Sequence, residues 1–286
     1  MVEETASSPS DPSQPGPLSV SNISHPSPPR THSKLTSTVV REARDYADMS
    51  MLIPHEALRR ELLEMSSCVP YLKAEASHLW KMKLFFRWYR TYFYPIIHGH
   101  HANEEKIFFP QLAKKVGASE LPATLSSDHE TMMGILDQIL TAEKDFHKAS
   151  NDHDKIKVRH IVINLIQQLV PLMEEHFAEE EEKLIPLVRE HMTEEEVDAV
   201  VGSILHHMGL KGLRFELPPV LAAAREWMTD EQYREFSHKS PALVMLLHNY
   251  VFAVEFKHFN RGLLDRIRHG ERERGVGWHC GLLPNV

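Results

Sequence analysis

The chain has 286 residues, 42% hydrophobic and 25% charged, the balance of a soluble globular protein with room for one large domain and extensions. A net charge of −8 excludes the basic footprint of a nucleic-acid binder, and no apolar stretch reaches the ~20 residues a membrane span requires. Only Cys68 and Cys280 are present and neither has a CxxC partner, so no disulfide framework or cysteine-rich zinc site is expected; the usage fits a reducing, cytoplasmic compartment.

Residues 1–45 are rich in Ser and Pro and nearly free of large apolar groups. They cannot bury enough surface to offset their ordering entropy, so a disordered tail is expected. The tail lacks the apolar core of a secretory signal, and Glu3, Glu4 and Asp11 argue against a transit peptide. Beyond it the periodicity is helical almost throughout, with 12 glycines and no period-two run to suggest a sheet. The first helix is expected to begin near Pro54, which suits a first turn, with a stripe through His55, Leu58, Leu62 and Met65. The second runs from about Ala76 to Lys115, kinked at Pro95, and its stripe includes Phe93, Ile96, Ile97, His100, Glu104 and Phe108.

Gly117 and Pro122 break the pattern. The third helix is expected from Ser126 or Ser127, with Ser127 and Glu130 as a capping box, and its inward face reads His129, Met132, Met133, Leu136, Ile139, Leu140. The fourth, from about Ile156 to His191, carries Ile166, Leu169, Met173, His176, Glu180, Leu184 and Leu187 on one side. Short connections imply an all-α fold, an antiparallel up-down-up-down four-helix bundle over residues 46–192. The segment TEEEVDAVVGSILHHM reads as a short capped helix, and two more are expected within residues 218–267, the second from near Pro241. Its apolar run to Phe256 carries His248, Asn249 and Glu255 and reads as a buried helix. Residues 193–267 are expected to pack on the bundle as an extension, and residues 268–286 to form a C-terminal tail.

The frame HHANEEKIFFP at 100–110 recurs as HFAEEEEKLIP at 176–186, each copy opening on a His, placing a Glu four residues later and reaching Pro at the same distance. Residues four apart lie about 40° apart around a helix, so each copy presents an imidazole and a carboxylate on one face. Aligning the prolines selects His100 with Glu104; His101 with Glu105 is the shifted alternative. The four inward stripes therefore carry His55, His100, His129 and His176, together with Glu104 and Glu180. Two carboxylates in an apolar core are costly unless paired, and divalent cations remove that cost. A metal pair bridged by both carboxylates fits, with His55 and His100 on one ion and His129 and His176 on the other. Mixed imidazole and carboxylate ligation suits iron or manganese, and zinc can also bind.

His55 in PHEALRREL, HHANEEKIFFP, His129 in SSDHE and HFAEEEEKLIP together resemble a hemerythrin-like (HHE cation-binding) domain over about residues 50–192. The resemblance implies a non-haem di-iron centre with two bridging carboxylates, its ligands being His55, His100, Glu104, His129, His176 and Glu180. Oxygen-carrying hemerythrins place a second His where this chain has Met133, and an Asp five residues after the His matched by His176, where this chain has Glu180 at four. Four His and two Glu are instead similar to the set in iron–sulfur-cluster repair proteins of the superfamily, and approach that of the iron- and oxygen-sensing domains of ubiquitin ligases. The expectation is a protein that binds iron and oxygen or nitric oxide for sensing or iron handling, with no identified protein partner. A di-iron enzyme or cluster-repair factor is the first alternative and a metal-free helical scaffold the second.

Other features read as structural. The run Glu179 to Glu182 is a solvated face from which Glu180 alone turns inward. Met132, Met133 and Met173 are expected to pack the core, and Tyr89, Tyr92 and Tyr94 to pack beside the kink. His147, His153, His160, His206 and His207 are surface residues.

Overall fold

Asp45 starts the first helix: its side chain accepts from the Asp48 amide, and helix α1 (Tyr46–Leu72) follows. In this computed structural model the described residues are 45–73, 78–240 and 242–270. The two expected tails, with Cys280, fall almost wholly outside them. α1 begins well before Pro54 because the apolar stripe continues backwards through Ala47, Met51 and Leu52, all buried. Pro54 thus sits inside the helix, which forgoes one backbone hydrogen bond there.

The second helix, α2 (residues 79–116), is one rod interrupted twice. It comprises Leu79–Trp88, a π turn Tyr89–Phe93, Tyr94–Asn103, a second π turn Glu104–Phe108, and Phe109–Val116. Each π turn is closed by the amide of the residue before a proline: the Tyr94 amide reaches back to the Tyr89 carbonyl ahead of Pro95, and the Phe109 amide to that of Glu104 ahead of Pro110. Proline has no amide and its ring pushes on the carbonyl four residues back, so the ladder widens just upstream. The expected kink at Pro95 is therefore a π turn.

Gly117 (φ 94°) closes α2, and after a 3₁₀ turn (Ala118–Glu120) comes α3 (Thr124–Lys148). The expected capping box is absent: α3 starts ahead of Ser127, its cap residue Ala123 supplies no side-chain bond, and the Ser127 hydroxyl donates to the Thr124 carbonyl instead. Helix α4 (Asp152–His191) is capped by Asn151, whose side chain accepts from the Asp154 amide. Helix α5 (Glu194–Trp227) opens on a capping box of Thr193 and Glu196. It runs far beyond the short helix expected, and Gly209 breaks it into two arms with φ 55° and ψ −171°, a backbone state that glycine adopts without steric cost. Val197 and Val200 on the first arm and Trp227 at the end of the second pack on one apolar cluster, so the arms fold back on each other. A short exposed helix, α6 (Asp230–Lys239), leads to α7 (residues 242–269), which contains two further π turns, His248–Phe252 and Phe256–Arg261.

Among the described residues every regular element is helical and no strand occurs. None of these helices is long and apolar enough to cross a membrane. α1 packs against both α4 and α5, and α3 against α4. The C-terminal part of α7 enters the core through Leu263, Leu264 and Ile267. It is fixed by Trp88, which donates to Asn260 (2.8 Å), and by ion pairs of Arg261 with Glu61 and Arg268 with Glu64.

The core divides into two apolar clusters. One holds Leu58, Leu62, Ile96, Ile97, Met132, Leu136, Met173 and Phe177. The other holds Leu52, Phe108, Phe109, Leu112, Leu125, Leu184 and Val188. On each of α1 to α4 the chain crosses from one cluster to the other, and the residues at the crossing are polar.

Candidate metal centre

Those crossing residues are His55 on α1, His100, His101 and Glu104 on α2, His129 on α3, and His176 and Glu180 on α4, all buried. All six residues selected by the sequence stripes lie in this layer, and His101 joins them. One ring nitrogen or carboxylate oxygen from each of His55, His100, Glu104 and Glu180 lies within 4.8 Å of the others, as does one ring nitrogen from each of His101, His129 and His176.

Each glutamate spans the layer. Glu104 turns Oε1 toward His100 (3.0 Å) and His55 (3.7 Å), and Oε2 toward His129 (3.7 Å). Glu180 turns Oε2 toward His55 and His176 (3.3 Å each), and Oε1 toward His129 (3.7 Å). The Nε2 atoms of His129 and His176 stand 3.0 Å apart.

Buried polar atoms normally find hydrogen-bond partners, and an unmade bond costs about 1–3 kcal/mol. Here His55 Nε2, His100 Nε2, both ring nitrogens of His101, Glu104 Oε2 and both oxygens of Glu180 are buried without one. So many orphaned donors facing one another fit bound metal cations, which would satisfy most of them at once.

Protonation follows the same crowding. Burial disfavours charge on His55, but Glu104, Glu180 and Glu181 outweigh it and hold the imidazole well above its usual range. Burial likewise opposes a charge on His129, and Glu180, Glu104 and Glu105 raise it. Burial, and then the neighbouring His100, hold His101 well below the usual range, and burial lowers His176. Burial opposes ionisation of Glu104, but His100 and His55 keep it well below the ordinary carboxylate range.

A second layer aims the first. Nδ1 of His55 lies 2.8 Å from Glu181, whose oxygens also take a fork from Arg59 at 2.6 and 3.0 Å. Nδ1 of His129 lies 2.9 Å from Glu105. A carboxylate on Nδ1 places the proton there and turns the Nε2 lone pair inward, the usual support of a metal-bound imidazole. Phe177 stacks on the His55 ring (4.7 Å) and Phe109 lies parallel to His129 (5.8 Å).

Two parts of this arrangement depart from the sequence reading, and the place of Met133 agrees with it. Glu181 is half-buried rather than on a solvated face, because Arg59 and His55 of α1 reach it. The two registers of the first frame coexist: His100 and Glu104 face the layer, His101 joins it, and Glu105 supports His129 from outside. Met133 packs against the apolar core, so α3 supplies one imidazole. The doublet His100–His101 was the available signal, since two adjacent histidines cover 100° of a helix face that several neighbours surround.

A buried histidine–carboxylate layer among four helices is a candidate site for metal cations. The family model for the hemerythrin HHE cation binding domain matches residues 51–188, the segment carrying every residue of the layer. These residues form a hemerythrin HHE cation-binding domain. No curated protein and no solved structure gives a significant match.

Proposed function

We propose that α1 to α4 form an antiparallel up-down-up-down bundle that holds two non-haem iron ions, and that the pair binds oxygen or nitric oxide for sensing or iron handling. The observation that carries the reading is the set of buried, unpartnered donors on Glu104, Glu180, His55 and His100, facing His129 and His176 across one layer. His55 and His100 serve one position and His129 and His176 the other, with Glu104 and Glu180 shared between them. Iron held by these residues would supply redox chemistry. The residues of the chain fix its place: Glu181 and Glu105 hold two imidazoles in line, and Phe177 and Phe109 exclude water beside them. Manganese or zinc suits the same donors. The buried thiol of Cys68 accords with a cytoplasmic setting.

Anaerobic iron loading followed by air, read by metal analysis and absorption, tests this. About two irons per chain and a near-ultraviolet charge-transfer band are expected from a carboxylate-bridged pair. His100→Ala or His176→Ala should abolish the band. Retention of full metal content in both variants would show the donor assignment to be wrong.

A further inference from the structure

We infer that His101 is a metal donor and that the two positions are consequently unequal, so that the chain sorts two different metals between them. This rests on the metal-binding reading above and goes beyond it. One position is faced by two imidazoles, His55 and His100, with Glu104 Oε1 and Glu180 Oε2. The other is faced by three imidazoles, His101, His129 and His176, with Glu104 Oε2 and Glu180 Oε1 turned toward His129.

His101 is poorly explained as core packing. A histidine retained for structure shows a hydrogen bond on at least one ring nitrogen, whereas both nitrogens of His101 are buried and unpartnered. Its ring stands 4.4 Å from that of His129 and 5.6 Å from that of His176, inside the layer. Coordination through one nitrogen removes the larger part of this anomaly.

The donor sets then select differently. Imidazole favours the later divalent ions such as zinc, while carboxylate-rich sites suit manganese. The three-imidazole position also offers one more protein donor and therefore fills first. With zinc and manganese both supplied, zinc occupies the His101 position and manganese the His55–His100 position.

The test uses full-length metal-free protein given one equivalent of zinc and then one of manganese. Zinc-edge X-ray absorption should count three imidazoles, and electron paramagnetic resonance should show the pattern of an isolated manganese ion. His101→Leu should weaken binding of the first zinc by more than about tenfold, the least expected for losing a direct donor, while manganese is still taken up. Two or fewer imidazoles on zinc, a coupled manganese-pair signal, or unchanged zinc affinity in His101→Leu would each overturn the inference. The absorption count needs no variant, so misfolding of His101→Leu does not obscure it. Failure of the unaltered protein to take up either metal would defeat the metal-binding reading as well, whereas uptake of both with equal imidazole counts defeats this inference alone.

Discussion

Replacing Glu181 by alanine should weaken metal retention by one to two orders of magnitude, although Glu181 lies outside the donor layer. The carboxylate sits 2.8 Å from His55 Nδ1 and takes both arms of the Arg59 fork. Its loss frees the His55 ring to rotate and leaves Arg59, itself buried, with Glu56 at 3.2 Å and Glu174 at 3.6 Å as its carboxylate neighbours among the described residues. A hydrogen bond to a charged group contributes about 1.5–3 kcal/mol, which at ~1.4 kcal/mol per decade corresponds to about ten- to hundredfold in affinity. The assay is competition of the loaded protein against a chelator, with Glu182→Ala as control because Glu182 is exposed in the same acidic run. Glu181→Gln, which keeps an acceptor, should retain most of the affinity. Equal retention by Glu181→Ala and the parent, or an equal loss in Glu182→Ala, would refute the positioning argument.

Other outcomes follow from buried charge. Burial alone pushes the Glu216 carboxyl up to about 8, so the folded chain keeps a proton there that the unfolded chain sheds near the ordinary glutamate value of 4.5. Stability is therefore lost as pH rises between those values, and Glu216→Gln should be the more stable form at pH 8 by on the order of a few kcal/mol. Urea midpoints that differ equally at pH 4 and pH 8 would contradict this. Arg261→Met should strand the fully buried Glu61 and cost about 3–5 kcal/mol, read as a lowered denaturation midpoint. Adding Glu61→Met should recover most of that loss, and no recovery would mean that the pair acts through packing alone.

Much of the architecture was legible because the polar interruptions fall on apolar stripes. His55, His129 and His176 stand among leucines and methionines at helical spacing, and the proline frame points to His100 with Glu104, while the layer takes in His101 as well. What stayed hidden depends on contacts between distant segments. Glu179, Glu180, Glu181 and Glu182 look alike in sequence, and only the approach of Arg59 and His55 separates Glu181 from its exposed neighbour Glu182. A single stripe also misjudges α2, whose flanks meet α1, α3 and α5, so that His101 finds a buried face too. Pro54 suits a first turn and so masks the start of α1, since burial of Ala47, Met51 and Leu52 carries the helix through it. Gly209, within an otherwise helical pattern, gave no sign of the reversal that its positive φ permits.

The grip on α1 bears on how long a bound ion stays. This helix contributes one group to the layer, His55, yet it is pressed between α4 and α5. It is also tied to the C-terminal helix through Glu61 with Arg261, and to α5 through Arg60 with Glu226. Departure of an ion from a closed interior waits on local opening, and its frequency falls with the free energy of the contacts that must break. The residence time of a cation held in the layer would thus depend in part on residues such as Arg60 and Arg261, and a chain shortened before α7 should release it sooner with every donor still in place.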